Sequence, residues 1–211
     1  AAEDATAYLA ERFSPALIVS AGFAGAVRHG LRTGDIIVCS RVWRVDGPSS
    51  TWSASTAEVG TVRNLPAEAL ESSRCIYARG ECLTLPRVAS DPSTKERIGR
   101  EFPISVVDME SFWVGTTAAR HDIPWAVVRA VLDPLDQPLP PYAAVDDTAG
   151  AARMHALGYA LSRPWEVPGL IRLGRQARAA GKALSTALGA IASEGRRARV
   201  MDAGKPQGRP C

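Results

Sequence analysis

The chain has 211 residues, of which 46% are hydrophobic and 22% charged, and its formal net charge at pH 7 is +3. This length allows one domain with a substantial core, the composition excludes wholesale disorder, and the small net charge gives no reason to expect a nucleic-acid partner. No run of about 18 apolar residues predicts a membrane-spanning helix. The acidic start at residues 1–4 lacks the basic and apolar regions of a signal peptide, so a cytoplasmic protein is expected.

The cysteine and histidine patterns predict neither disulfides nor a metal centre. The four cysteines show no C-x-x-C spacing, which favours free thiols in a reducing compartment. The three histidines lie far apart, and none stands at the short intervals typical of metal ligands.

Apolar periodicity and turn residues predict helices alternating with strands, the pattern of an α/β domain. Ala16 to Ser20 is an apolar run typical of a strand buried on both faces. Asp91 precedes Pro92 as an N-cap precedes the first residue of a helix. Helices are predicted at residues 1–13, 66–73, 92–100, 111–120, 150–162 and 168–199, and strands at 16–20, 36–39, within 73–85, at 104–107 and from 125 to 133, with extended chain at 41–51.

The stretch from Val106 to Asp136 organises the predicted domain. It begins as a strand, continues as a helix, and returns as a second strand from Trp125. Glu110 follows the first strand and Asp133 ends the second. Because a β-α-β crossover runs both strands in one direction, both carboxylates are expected at one edge of a parallel sheet, where they can take different roles in one pocket.

A glycine-containing turn, Ala21-Gly22-Phe23-Ala24-Gly25, follows the first predicted strand. Its spacing is G-x-x-G rather than G-x-G-x-x-G, and no acidic residue ends the next strand about twenty positions later, which argues against a dinucleotide site. The glycines either let the backbone approach a ligand closely or serve only a tight strand exit.

Three motifs resemble the nucleoside phosphorylase and nucleosidase superfamily. The turn at 21–25 with L-R-T-G-D-I-I-V at 31–38 is similar to that family's T-G-S-A-G-like turn and its L-x-x-G-D-I-V-V segment. V-D-M-E-S at 107–111 resembles V-E-M-E-[AGS], and V-R-A-V-L-D-P-L-D at 128–136 resembles V-R-x-I-S-D-x-A-D. The motifs span about residues 1–160. They imply a single-domain, three-layer α/β/α fold with a mixed central sheet.

The resemblance implies cleavage of the N-glycosidic bond of an adenine nucleoside. Asp133 would protonate the leaving base at N7, which works best if burial raises its pKa. Glu110 would accept hydrogen bonds from the ribose 2′ and 3′ hydroxyls, and Met109 would pack against the sugar. The remaining substrate-binding residues would be Phe23, Ala24, Gly25, Arg87 and Val88.

Each of these residues also has a purely structural interpretation. Glu110 could stabilise a helix N-terminus, and Asp133 could be an ordinary turn residue before a proline. Met109 could simply pack in a core, and Arg129 could form a structural ion pair with a buried partner. The joint pattern, rather than any single residue, predicts the site.

Two departures from the family pattern leave the nucleophile open. Phe23 stands where the family usually has Ser or Thr, and Leu132 replaces the usual Ser before the acidic residue. Family members also have a strand and a glycine-containing loop upstream of the helix that here begins at Ala1. No cofactor is expected, but inorganic phosphate is a possible co-substrate, and phosphorolysis and hydrolysis both stay open.

Two further segments resemble the hopanoid-associated phosphorylases within the superfamily. These are residues 133–141, with D-P-L-D and P-L-P-P, and R-P-W-E-V-P-G-L at 163–170. They imply adenosylhopane, a lipid-linked nucleoside, as substrate. The alternatives are a nucleosidase of the methylthioadenosine/S-adenosylhomocysteine or futalosine type, and a catalytically impaired nucleoside-binding protein. The superfamily resemblance also implies a homo-oligomer.

The C-terminal part predicts a basic amphipathic helix after the main domain. The predicted division is a domain at 1–162, a helical extension at 163–200 and a disordered tail at 201–211. Residues 168–199 alternate leucines and alanines with seven basic side chains, a pattern that suits peripheral contact with an anionic membrane. The slightly favoured alternative is packing on the protein's own domain or a subunit partner, because the apolar face is rich in small alanines.

Overall fold

A computed structural model describes residues 1–45, 65–139 and 163–203. Helices and strands alternate along most of these ranges, as predicted. The helices are α1 (Ala2–Phe13), α2 (Leu65–Ser72), α3 (Pro92–Glu101), α4 (Ser111–Arg120) and α5 (Val167–Ala203), and the strands are β1 (Ile18–Ala26), β2 (Ile36–Arg44), β3 (Ala78–Thr84), β4 (Val106–Asp108) and β5 (Trp125–Asp133).

The predicted boundaries hold closely in α1 to α4 and in β5. The segment 21–25, predicted as a turn after the first strand, is instead part of β1, because the backbone from Ile18 to Gly25 pairs with β5. The side chain of Asp91 caps α3 by accepting a 2.9 Å hydrogen bond from the Thr94 amide, and Pro92 occupies the first turn. The extended segment predicted at 41–51 continues β2 as far as Arg44. Its residues 46–51 and the predicted helix at 150–162 lie outside the described residues. Helix α5 continues to Ala203, so residues 201–203 are helical and not part of the predicted tail; residues 204–211 lie outside the described ranges.

The sheet is mixed, and its five strands close into a barrel in the order β1-β4-β3-β2-β5. Strand β1 runs parallel to β5 along its length and antiparallel to β4 at its end. The expectation that β4 and β5 share one parallel edge is therefore wrong, because β1 lies between them and the two run in opposite directions. A strand–helix–strand pattern does not specify which strands pair, and the long apolar β1 takes the place beside β5.

Helices cover the sheet on both sides, which confirms the predicted three-layer α/β fold. In β2 the side chains alternate: Ile37 and Cys39 join a core with Phe112 of α4, whereas Ile36 and Val38 join a core with α2 and α5. Helix α5 contributes to this second core with Ala180, Ala187, Ala190 and Ile191. Within the described ranges, no helix is long and apolar enough to cross a membrane.

Candidate active site

Asp133 and Glu110 line the same pocket. Strand β1 lies between β5, which ends at Asp133, and β4, which Glu110 follows. Gly25 of β1 pairs with Val107 on one side and with Asp133 on the other, at a point where the register of β1 against β5 shifts. A side chain at Gly25 would have its Cβ 3.2 Å from the Asp133 carboxylate and 3.4 Å from the Val107 side chain. The glycine therefore lets the ends of β4 and β5 approach one pocket, despite their opposite directions.

All eight residues predicted for the site line this pocket. The wall from β1 carries Phe23, Ala24 and Gly25, the loop after β3 carries Arg87 and Val88, and the remaining three are Met109, Glu110 and Asp133. The other lining residues were not predicted, and most of them are apolar: Leu85, Ala89, Val107, Asp108, Leu132, Leu139 and Leu173. Leu173 belongs to α5, so the C-terminal helix forms part of the pocket wall.

Asp133 is buried, and its carboxylate is paired with a lysine. The Lys95 Nζ lies 2.5 Å from Asp133 Oδ2, and both side chains are almost completely inaccessible to solvent. Burial raises the pKa of Asp133 above its ordinary value, and the Lys95 ammonium opposes that rise. A carboxyl with a raised pKa at a pocket wall suits a general acid, because it retains its proton at higher pH.

Lys95 does not line the pocket but pairs with its buried carboxyl, and it was not predicted from the sequence. It stands on α3 three and four positions before the buried Ile98 and Gly99, so it occupies the apolar face of that helix. A lysine at such a position is the signal that could have identified it, because lysines are almost never fully buried unless they are paired.

A second buried ion pair lies beside the pocket, between Asp108 and Arg129. The Arg129 Nη2 lies 2.7 Å from Asp108 Oδ2, and it also donates to the hydroxyls of Ser20 and Ser111 at 2.9 and 2.8 Å. This is the structural ion pair considered for Arg129. A side chain at Gly22 would have its Cβ 2.3 Å from the Arg129 guanidinium, so this glycine leaves room for the pair.

Asp108, rather than Glu110, caps helix α4. The Asp108 carboxylate accepts hydrogen bonds from the Ser111 amide and the Ser111 hydroxyl, and one from Thr84 Oγ1 at 2.7 Å. Glu110 occupies the N-cap position, but its side chain makes no capping hydrogen bond. Glu110 and Met109 are both exposed, and they also line a neighbouring cavity beside α1 and Trp113. The exposed carboxylate of Glu110 can therefore accept hydrogen bonds from a ligand in the pocket.

Besides the two candidate carboxyl groups, the pocket is lined by Arg87, by Asp108 and by uncharged residues, most of which are apolar. Phe23 is 42% exposed and Met109 is 40% exposed, so both present apolar surface at the pocket. In the three described ranges, no three His, Cys, Asp or Glu side chains are grouped as metal ligands would be. The arrangement offers a buried acid, an exposed carboxylate and apolar walls, which suits a ligand with a planar base, hydroxyls and an apolar substituent.

Comparison with known proteins identifies a protein family and curated relatives that are similar to this chain. The family model described as Phosphorylase superfamily matches residues 1–161. The 5′-methylthioadenosine/S-adenosylhomocysteine nucleosidase of Bacillus licheniformis is 29% identical over 143 residues, which cover 61% of this chain and 61% of that protein. The corresponding protein of Listeria welshimeri is 28% identical over 150 residues, 63% of each chain. The chain thus spans about three fifths of the length of these curated relatives.

Solved structures match over a larger share of the chain. The Neisseria meningitidis 5′-methylthioadenosine/S-adenosylhomocysteine nucleosidase, in complex with methylthio-immucillin-A, superposes with a TM-score of 0.66 at 16% identity, covering 92% of this chain and 76% of that one. Futalosine hydrolase of Helicobacter pylori gives a TM-score of 0.66 at 16% identity, covering 92% and 74%. These likenesses show the fold. Because the family model matches most of its length, the chain belongs to the Phosphorylase superfamily.

Proposed function

We propose that this protein cleaves the N-glycosidic bond of an adenine nucleoside and releases adenine. The observation that carries the proposal is the placement of Asp133: a buried carboxyl whose pKa burial raises, lining the same pocket as the exposed carboxylate of Glu110. Two carboxyl groups in different environments can take different roles in one pocket.

In the proposed reaction, Asp133 acts on the base. Its carboxyl gives a proton to N7 as the C1′–N9 bond breaks, and the electron pair of that bond goes to the purine. A water or phosphate oxygen then bonds to C1′. With water, the products are adenine and the free sugar, and the proton that the water loses restores the acid through solvent.

Glu110 acts on the sugar in this proposal. Its carboxylate accepts hydrogen bonds from the 2′ and 3′ hydroxyls, and these bonds strengthen as positive charge develops on the ribose ring. Met109, whose thioether is exposed in the same pocket, packs against the sugar face. The absence of a capping bond at Glu110 supports this role, because the carboxylate is not committed to the helix.

Hydrolysis of a 5′-substituted adenine nucleoside is the favoured form of the reaction. The similar curated proteins are named as nucleosidases for 5′-methylthioadenosine and S-adenosylhomocysteine, and one similar structure is a futalosine hydrolase. Methylthioadenosine and S-adenosylhomocysteine are therefore the first substrates to test. Phosphorolysis stays in the test as an alternative, since Arg87 lines the pocket and could bind an anion.

Adenosylhopane is the second candidate substrate, and the apolar pocket wall favours it. Four large apolar side chains from separate parts of the chain line the pocket: Phe23, Leu132, Leu139 and Leu173. Such a wall accommodates an apolar 5′ group of any length better than a charged amino-acid tail. Among the candidates, this favours methylthioadenosine and adenosylhopane over S-adenosylhomocysteine.

Adenine release tests the proposal. The protein, with any coding sequence in frame upstream of Ala1 included, is incubated with methylthioadenosine, S-adenosylhomocysteine, futalosine or adenosylhopane, with and without inorganic phosphate. We expect a free base without phosphate, and the fastest release from a nucleoside with an apolar 5′ group. Calorimetric binding of these nucleosides without any release would instead favour a catalytically impaired nucleoside-binding protein.

We also propose that the protein is a homo-oligomer, as the family resemblance implies. Analytical ultracentrifugation at micromolar concentration tests this directly. A monomer across the accessible concentration range would contradict it.

A further inference from the structure

The strongest unassigned feature of the molecule is the fully buried side chain of Lys95. Its ammonium donates two hydrogen bonds and forms an ion pair with a carboxylate oxygen. It lies 2.5 Å from Asp133 Oδ2 and donates to the carbonyls of Pro134 and Gln137 at 2.9 Å each. One side chain from α3 therefore holds both the carboxyl at the end of β5 and the chain that follows it.

Helix α3 does not need a lysine at this position. Asp91 already caps the helix, and Ile98 packs its apolar face. Burying an ammonium is costly, and an apolar side chain of similar length often serves packing as well or better. The position of the charge, directly beside a pocket carboxyl, points to a role in the pocket rather than in the helix.

We propose that Lys95 is a positioning residue for the reaction: it aims the Asp133 carboxyl at the leaving base and fixes the 134–139 segment that brings Leu139 to the pocket. This inference rests on the proposed function. The fixed segment is also tied to α5, because the side-chain amides of Gln137 and Gln176 exchange two hydrogen bonds of 2.8 and 2.6 Å.

The charged surroundings of Asp133 make Lys95 its dominant electrostatic partner. Strand β1 and helix α5 bring only uncharged residues to the pocket, namely Phe23, Ala24, Gly25 and Leu173. The other charged groups on the pocket wall are Arg87, Asp108 and Glu110, and Asp108 is already paired with Arg129. Lys95 is the charge that acts on the pKa of Asp133, and it lowers that pKa against the effect of burial.

Removal of the ammonium should therefore change the pKa of Asp133 in a predictable direction. Without it, burial acts unopposed and the pKa of Asp133 rises further. The acid keeps its proton to higher pH, so the alkaline limb of kcat/KM moves to higher pH. At the same time the carboxyl and the 134–139 segment lose their anchor, and kcat falls by roughly tenfold to a hundredfold because the acid is misaligned.

Three variants separate charge from packing. Lys95→Met keeps the length and removes the charge, Lys95→Gln keeps hydrogen-bond donors without charge, and Lys95→Arg keeps the charge. Lys182→Met, on the exposed face of α5, removes a lysine from the surface and serves as the matched control. Each is measured for kcat, KM and the pH dependence of adenine release.

We expect the alkaline limb of the pH profile of kcat/KM to move to higher pH by the same amount in Lys95→Met and Lys95→Gln. It should move little in Lys95→Arg and not at all in Lys182→Met. We also expect kcat of Lys95→Arg to exceed that of Lys95→Met. If the alkaline limb of both neutral variants lies at the same pH as in the wild type, whatever their rates, Lys95 has only a structural role and the inference is overturned.

A substrate-free measurement separates this inference from the proposed function. Carbon-13 NMR titration of labelled aspartate carboxyls follows Asp133 directly, with its signal assigned by its loss in Asp133→Asn. An upward shift in Lys95→Met and Lys95→Gln, but not in Lys95→Arg, supports the electrostatic coupling even if no adenine is released, and absence of release defeats only the proposed function. Unchanged titration of Asp133 in the neutral variants overturns the inference even in an active enzyme.

Discussion

The Asp108 carboxylate lies 2.7 Å from the Arg129 guanidinium, and both side chains are almost fully buried beside the candidate site. Glu110, two residues further along the chain, is exposed in the pocket and makes no capping hydrogen bond. The two neighbouring acidic residues thus have different surroundings. Asp108 neutralises a buried arginine and caps α4, which leaves the Glu110 carboxylate available to a ligand.

Substitution of Arg129 by Met is expected to destabilise the fold. It leaves the Asp108 carboxylate buried without its cation, a loss of about 3–5 kcal/mol in the free energy of unfolding for a broken buried pair. Urea denaturation followed by circular dichroism measures it. Arg172→Met, at an exposed position of α5, is the control and should change stability by less than about 0.5 kcal/mol. Equal stability of the two variants would contradict the structural role.

Substitution of Glu110 by Gln should separate activity from stability. The side chain is exposed and does not cap α4, so the free energy of unfolding should change by less than about 0.5 kcal/mol. Adenine release should fall by roughly a hundredfold in kcat/KM, because a neutral amide stabilises the developing positive charge poorly. Glu68→Gln on α2 is an exposed control of the same chemistry. Retention of full activity in Glu110→Gln would remove this residue from the site.

The pair of Lys95 and Asp133 should show strong coupling in stability. Asp133→Asn alone leaves the buried ammonium without its anion and should lower the free energy of unfolding by about 3–5 kcal/mol. Adding Lys95→Met should recover part of that loss, because the buried charge is then gone. A double-mutant cycle from urea denaturation measures the coupling. If the losses in free energy of unfolding of the two single variants add up to that of the double variant, the two side chains act independently.

The same pair predicts a dependence of stability on pH. The folded pKa of Asp133 is raised, so its carboxyl contributes stability that is fully present below the unfolded pKa of about 4 and is lost as pH rises through the folded pKa. Relative to the double variant Asp133→Asn/Lys95→Met, the wild type should therefore lose stability as pH rises from about 4. If the stability of the wild type relative to the double variant stays constant or increases with pH, the direction of the pKa shift is contradicted.

Leu173 should determine affinity for apolar 5′ substituents. It brings an apolar side chain from α5 to the pocket wall. Leu173→Ala removes apolar contact and should raise KM for methylthioadenosine roughly tenfold, with little effect on unsubstituted adenosine. Ile171→Ala, on the same helix but 52% exposed and not among the pocket-lining residues, is the control. A similar change in KM for both nucleosides would argue against a 5′ subsite at Leu173.

Peripheral membrane contact through α5 stays a prediction, and the packing of the helix argues for weak contact at most. Its Ala180, Ala187 and Ile191 are already buried against the sheet. We therefore expect little flotation with anionic liposomes, and none that survives physiological salt. Reversal of the exposed Arg172, Arg175 and Arg178 to Glu leaves the buried face intact and tests any binding found. Strong flotation that this reversal abolishes would support the membrane interpretation.

Much of this fold could be predicted from local pattern. The Asp91 cap and the apolar run from Trp125 predicted a helix and a strand that the structure has at nearly the same boundaries. The apolar run at 16–20 predicted the existence of β1 but not its extension to Ala26. The eight site residues were predicted through the family resemblance: six of them lie in its motifs, whereas Arg87 and Val88 lie outside them. The structure brings all eight to one pocket, while their roles stay proposals.

The remaining features depend on contacts between distant parts of the chain. Closure of the barrel depends on which strands pair, and the three residues of β4 carry too little pattern to predict an antiparallel partner. Lys95 was missed because a charged residue on a polar helix normally faces solvent, whereas here its partner is 38 positions away. Leu173 was read only as part of an amphipathic face, since nothing local indicates that α5 borders the pocket.

The most direct test of the central claim is single-turnover adenine release by Asp133→Asn compared with the wild type, with binding measured in parallel by calorimetry. We expect the variant to bind the nucleoside within about tenfold of the wild type but to release adenine at least a hundredfold more slowly, because the asparagine amide cannot provide the proton for N7. Release at the wild-type rate by a folded Asp133→Asn protein would contradict the assignment of Asp133 as the acid.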